Sequence, residues 1–192
     1  YVTFFPIEGL NLTTNYSYNN VDRRRKVYEN PKVGDGAPGG RFNILSTRAT
    51  TQTLNQLISY NKDFGKHTVD VMVGHESYAY KYEYLYSMKN TEIVNGIYEF
   101  DNFVNISSVS SYTDEYKKEG YFARLNYDYA DKYYVSASYR HDGSSRFHKD
   151  NRWGNFYSVG LSWRVSEEEF MKDITWVNSL KVRASYGETG ND

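Results

Sequence analysis

Residues 120–164 read GYFARLNYDYADKYYVSASYRHDGSSRFHKDNRWGNFYSVGLSWR. Tyr121, Ala123, Leu125, Tyr127 and Tyr129 alternate with Arg124, Asn126 and Asp128. Ala130, Asp131 and Lys132 form a tight turn. Tyr133, Val135, Ala137 and Tyr139 then alternate with Tyr134, Ser136, Ser138 and Arg140. After a polar loop, Tyr157, Val159, Leu161, Trp163 and Val165 alternate with Ser158, Gly160, Ser162 and Arg164. A period of two held over three arms predicts β-strands with one apolar and one polar face. The apolar face carries Tyr and Trp near the strand ends and small or aliphatic residues between them. A transmembrane barrel presents that distribution to lipid, with aromatic girdles at both interfaces and polar residues toward the lumen. A soluble antiparallel sandwich has the same alternation, so alternation by itself permits both.

Composition narrows the classes. The chain has 24% charged residues, a net charge of −1, 21 Tyr and no Cys. That balance gives no basic surface for nucleic acid, and the missing cysteines exclude disulfides and thiolate metal sites. No run approaches the ~18 apolar residues of a spanning helix. A mean hydropathy of −0.77 is compatible with a membrane barrel, because only alternate residues face lipid. The chain opens on YVTFFPIEGL, read as the end of a strand and a turn, and closes on GETGND, read as loop. Both ends are expected to be cuts, with any export signal upstream.

Outward from the central stretch, Leu10, Leu12, Thr14, Tyr16 and Tyr18 mark a first full strand. A long polar segment over 19–41 follows, holding Arg23, Arg24, Arg25 and Lys26. A strand over 45–61 and a hairpin turn at 62–66 come next. Val69, Val71 and Val73 open another strand, yet Tyr78, Tyr80, Tyr82 and Tyr84 fall in the opposite phase. A β-bulge near Gly74 accounts for the switch, and so does a strand end that projects into solvent; both stay open at this point. A second irregular segment covers 85–113. Ser166 with Glu169 three residues on is a capping-box signature, which predicts a short helix near 166–172. Leu180, Val182, Ala184 and Tyr186 form the last strand. The expected fold is all-β: about seven antiparallel up-and-down strands of a larger barrel, since an open edge cannot face lipid.

Connection lengths alternate long and short along the chain. The turns at 62–66 and 130–132 and the helical turn at 166–178 fall on one side, and the long segments on the other. Outer-membrane barrels sort their loops in this way, short turns periplasmic and long loops outside. Soluble sandwiches have no reason to.

No catalytic constellation stands out. His75-Glu76 lacks the second His of a zinc-protease helix, and Gly65-Lys66 lacks the Gly and Ser/Thr of a phosphate loop. His141 and His148 flank a loop with Asp142 and Asp150, a set able to ligate a metal, though solvated loop residues are the plainer expectation. His67, the remaining histidine, stands where a phosphate loop needs Ser or Thr. Glu167, Glu168 and Glu169 suit a helix N-terminus and are not spaced as a glycosidase pair. The run from Arg23 to Lys26 could hold an acidic ligand, with a solvated loop as the safer reading. Asn11-Leu-Thr, Asn15-Tyr-Ser and Asn105-Ile-Ser match the glycosylation acceptor pattern, which is common by chance.

One combination is more specific. Asp142-Gly-Ser-Ser-Arg-Phe147, then Asn151-Arg-Trp-Gly154, then WRVSEEEFMKD and the Ser-Tyr-Gly…Thr-Gly-Asn ending at 185–191, resembles the SusC/RagA family of TonB-dependent outer-membrane transporters. The likeness is densest over 121–191 and looser upstream through NPKVGDG, SYNKDFGKH and VGHESYAY. Members are several times longer, carry a plug inside a barrel of about 22 strands, pair with a SusD-like surface lipoprotein, and import glycans or peptides with energy passed on by TonB. The resemblance thus implies that residues 1–192 are an interior piece of such a barrel in a Bacteroidetes-type outer membrane. No cofactor and no enzymatic activity are expected, for want of a site, and no substrate-binding residue of the family has a match here. Arg124, Asn126, Ser136, Ser138, Arg140, Ser158 and Arg164 would line the lumen. A soluble carbohydrate-binding sandwich, with surface Tyr and Trp as its platform, is the alternative, and an enzyme is a distant third.

Overall fold

The computed structural model describes residues 1–188. The expected end motif from Thr189 to Asn191 lies outside the described residues. Eight strands follow one another in a single up-and-down sheet: β1 (Val2–Ile7), β2 (Leu10–Glu29), β3 (Arg41–Phe64), β4 (His67–Glu92), β5 (Phe103–Tyr129), β6 (Tyr133–Ser144), β7 (Trp153–Arg164) and β8 (Lys181–Glu188). The sheet is open, with β1 and β8 at its edges. The first strand is the one whose end the opening residues suggested, so the count rises from about seven to eight. Among the described residues all eight strands belong to this one sheet, where a sandwich needs two.

The segments expected to be irregular are mostly strand. β2 runs through 19–29, β4 through 85–92 and β5 through 103–113, leaving connections at 30–40 and 93–102. Strands β2 to β5 hold 20, 24, 26 and 27 residues, against the 9–11 or so that cross a bilayer. A ladder of backbone hydrogen bonds extends a hairpin without any side-chain alternation, so those lengths left no period to read. The run from Arg23 to Lys26 therefore stands on a strand rather than in a loop.

Two compact units share these strands. The first comprises 1–17, 53–78 and 117–192; the second comprises 18–52 and 79–116. In the first, the register of β5 to β8 is regular: Leu125 faces Ala137, Ala137 faces Val159, and Val159 faces Tyr186. The turn at 130–132 forms as expected. Ala130 and Asp131 both take left-handed φ, 56° and 57°, and the Asp128 carboxylate accepts the Asp131 N–H at 2.9 Å. The turn at 65–66 also stands, with Gly65 at φ 65°.

The phase switch in β4 is not a bulge. Asp70 bonds Asn126 and His75 stacks on Tyr121, while further along Tyr80 meets Tyr116 and Tyr84 meets Tyr112. Within each unit β4 advances by as many residues as β5 recedes, five from Asp70–Asn126 to His75–Tyr121 and four from Tyr80–Tyr116 to Tyr84–Tyr112, so the stretch beside Gly74 carries no insertion. Gly74 is small for another reason. A Cβ there would sit 2.5 Å from Phe122 Cε2 and 2.8 Å from Leu57 Cδ2.

The predicted helix near 166–172 is two separate 3-10 turns, Val165–Glu167 and Glu169–Met171. Glu168 between them is extended (φ −79°, ψ 150°), and Glu169 bonds Lys172 Nζ at 2.7 Å rather than closing a capping box. Both carboxylates are engaged elsewhere, so neither is left to nucleate a helix.

The second unit has a small core of its own. Phe42 and Phe103 are each 1% exposed and stack at 5.4 Å. Asn102, also buried, donates to Val94 O and Ile97 O and accepts from Val94 N–H. Tyr28 donates to Glu92 at 2.8 Å, which with desolvation pushes its phenol up to about 12. Lys26 pairs with Glu99, and Arg48 with Asp22.

Candidate functional site

In the first unit the functional geometry is a two-faced wall. On one face the register lines up Tyr129, Tyr133, Trp163 and Val182 as a row, then Tyr127, Val135, Leu161 and Ala184, then Leu125, Ala137, Val159 and Tyr186, then Ala123, Tyr139 and Tyr157. Tyr121, His141 and Asn155 close the far end. Aromatic rings therefore flank an aliphatic middle, and they touch: Tyr133 stacks on Trp163, and His141 lies over Trp153 at 4.6 Å. None of this face is covered. Leu161 is 56% exposed, Val159 46% and Tyr186 72%.

Only Phe42, Phe103 and Val165 are buried hydrophobic residues among those described, and Val165 alone belongs to the first unit. The chain exposes 13713 Å², where a compact soluble monomer of its 22.5 kDa exposes about 9,500 Å². A face this apolar and this open needs a nonaqueous covering. A lipid bilayer supplies it, and the girdle rows place rings where headgroups meet acyl chains.

The opposite face carries the polar set read from the sequence, and the register brings it together. Arg124, Ser138 and Ser158 form one row, and Asn126, Ser136 and Gly160 the next. Ser138 Oγ lies 2.7 Å from Ser158 Oγ. Asn126 donates to Asp70, and Arg140 grips Asp142 with its Nε at 2.7 Å and 2.6 Å from the two carboxylate oxygens. Two open cavities lie on this face. One, about 520 Å³, is lined by Asp70, Asn126, Tyr134, Ser136, Lys181 and Arg183 among others. The other, about 1030 Å³, is bordered by Glu76, Arg140, Arg152 and Phe156. Lys181 and Arg183 were not singled out by the sequence reading, because a Lys-x-Arg pair on a short strand gives no signal beyond period two.

The histidines do not assemble. His75 lies between Gln56 and Glu119, His67 bonds Tyr127, and His141 bonds Asn155. His148 pairs with Asp150 at the exposed loop, while Asp142 is held by Arg140 on the polar face. The loop thus separates the four side chains that could have shared a metal, and no group of three or more His, Cys, Asp or Glu among the described residues is arranged to hold one.

The connection 165–180 is the longest among the described residues, and it lies at the end of the sheet that otherwise has short turns. Glu168 ties it to the aromatic row: Tyr133 donates at 2.5 Å, Trp163 Nε1 at 3.1 Å and Lys132 Nζ at 3.3 Å. Those donors, the Tyr133 hydroxyl first, hold the Glu168 carboxyl below its ordinary value.

Comparison with known proteins agrees with this wall. Residues 3–191 match the family described as TonB dependent receptor-like, beta-barrel. TonB-dependent receptor P39 of Formosa agariphila is 34% identical over the whole chain, which spans 19% of that protein. TonB-dependent receptor SusC of Bacteroides thetaiotaomicron is 33% identical over 71% of the chain and 13% of its own length. Among solved structures, the RagAB peptide transporter superposes with a TM-score of 0.86 and 25% identity, over 98% of this chain and 22% of that one. The chain therefore spans about a fifth of the relatives it matches.

Proposed function

We propose a role from one established premise: the chain belongs to the TonB-dependent receptor β-barrel family, and to its SusC/RagA type, whose members are outer-membrane proteins. Residues 1–192 form one stretch of the wall of a larger barrel, with the apolar face of the first unit against lipid and the polar face toward the lumen. The whole receptor imports oligosaccharides or peptides, working with a SusD-like surface lipoprotein and drawing energy from TonB through another part of the protein. The observation that supports this most is the uncovered apolar face with its two aromatic rows. A closed barrel removes the two free edges and the exposed band together. The matched RagAB structures are those of a peptide transporter and importer, which makes peptide the first cargo to try. In this role the wall is a scaffold and performs no chemistry of its own.

The test is purification of the full-length receptor from outer membranes in mild detergent, followed by intact-mass analysis and cargo uptake. Copurification with one surface lipoprotein, and loss of peptide or oligosaccharide uptake when the receptor is deleted, are expected. A receptor found alone whose deletion changes neither uptake would refute the proposal.

A further inference from the structure

The 165–180 connection carries more apolar side chains than it shelters. The N–H groups of Glu168, Met171, Ile174 and Val177 each donate to the carbonyl three residues earlier, at 3.0–3.3 Å. Residues three apart share one side of such a chain of turns. That side is the sheltered one: Val165 is buried, and Glu168, Met171, Ile174 and Val177 are half-buried. Phe170 and Trp176 fall off this spacing and are 63% and 84% exposed. Glu168 fixes which way the connection faces. Its carboxylate takes bonds from Tyr133, Trp163 and Lys132, so it lies in the aromatic row that ends the apolar face. Val165, next in phase after Leu161 and Trp163, is buried where both of those are exposed. The connection therefore folds over the end of the apolar face. Phe170 meets the same row, its ring edge-on to Trp163 at 6.5 Å. Trp176 has no hydrogen bond or ring contact among the described residues, which leaves its indole N–H without an acceptor.

We infer that the 165–180 connection is a membrane-surface anchor, with Phe170 and Trp176 seated among the phospholipid headgroups of the leaflet at the short-turn end. The inference rests on the reading above that the apolar face meets lipid. Continuity selects the occupant. Tyr133 and Trp163 stand at headgroup level in that reading, and Phe170 carries their row outward from the strands onto the connection. The headgroup layer suits both rings, because ester and phosphate oxygens accept an indole N–H while the upper acyl chains take the apolar body of the ring. Charge selects the kind of lipid. Glu167, Glu168, Glu169 and Asp173 outnumber Lys172 on this connection, so it suits a zwitterionic surface and not an anionic one, which attracts basic segments.

The experiment uses the full-length receptor, with no other reactive cysteine, in phosphatidylcholine vesicles. Phe170→Cys and Trp176→Cys are made one at a time, so that the other ring still holds the connection, and each carries a nitroxide spin label. Collisions of the label with oxygen, which concentrates in lipid, are compared with collisions with a nickel chelate that stays in water and is present on both sides. Val159→Cys supplies the bilayer reference, and Asp150→Cys, in an exposed loop, the aqueous one. The expected oxygen-to-chelate ratio at 170 and 176 lies severalfold above that at 150 and below that at 159. A ratio equal to that at 150 would show the connection standing in water and overturn the inference. Labels shielded from both reagents would overturn it as well, since protein and not lipid would then cover the rings. Failure of the wall reading shows up separately, as a label at 159 that meets the chelate as freely as the one at 150.

Discussion

Val159→Arg separates the two faces of the wall. Val159 lies four residues from Trp163 and four from Asn155, about 13 Å along the strand from either end of the apolar face. Its side chain is 46% exposed, so no packed neighbour would be displaced and the cost is solvation alone. An arginine at the bilayer midplane of a barrel costs about 2–4 kcal/mol, or about 30- to 700-fold in the unfolding equilibrium. Ser158→Arg, one residue earlier, points to the polar face. It gives up one exposed hydroxyl contact with Ser138, worth about 1 kcal/mol, and pays no bilayer cost. Trp163→Arg, at the headgroup level, should fall between them. The assay is urea unfolding of the full-length receptor refolded into phosphatidylcholine vesicles, followed by tryptophan fluorescence and by heat-dependent gel mobility. Equal losses for Val159→Arg and Ser158→Arg would refute the assignment of faces, and a larger loss for Ser158→Arg would reverse it.

Three further outcomes follow from individual contacts. Gly74→Val drives a side chain into the Phe122 ring and Leu57, and should cost about 1–3 kcal/mol; an unchanged urea midpoint would mean that the Phe122 ring swings freely away. Glu168→Gln should release the 165–180 connection, seen as faster amide exchange there. Because the Glu168 carboxyl lies below its ordinary value, its hold is present above that ordinary value and fades as the pH falls through the lowered one; wild-type exchange that ignores acid would contradict this. The Tyr28 phenol titrates at about 12 instead of 10, so its bond to Glu92 supports the second unit fully below pH 10 and is lost as the pH rises through about 12. Tyr28→Phe should remove the latest step of the ultraviolet phenol titration, and an unaltered curve would place that step on another tyrosine.

The wall was legible because its two faces meet different solvents. Over 121–165 the lipid side demands apolar residues and the other side tolerates polar ones, so a period of two is written into the chain. The turn at 130–132 was legible for a local reason, the left-handed residues beside Asp128. Legibility stops where that asymmetry stops. In the second unit Tyr18, Val21, Val104, Ile106 and Tyr112 are all exposed, on strands whose backbone pairing needs nothing from its side chains, and the sequence there looks irregular although the ladder is not. The helix at 166–172 failed differently. Its Ser166 and Glu169 fit the capping pattern, but Glu168 is worth more on Tyr133 and Trp163 than as part of a helical turn. That partner set comes from β6 and β7, which no local pattern reports. The pairing of Lys181 with Arg164 was hidden for the same reason: each is an ordinary cation until register sets the two opposite each other over the Tyr134 ring.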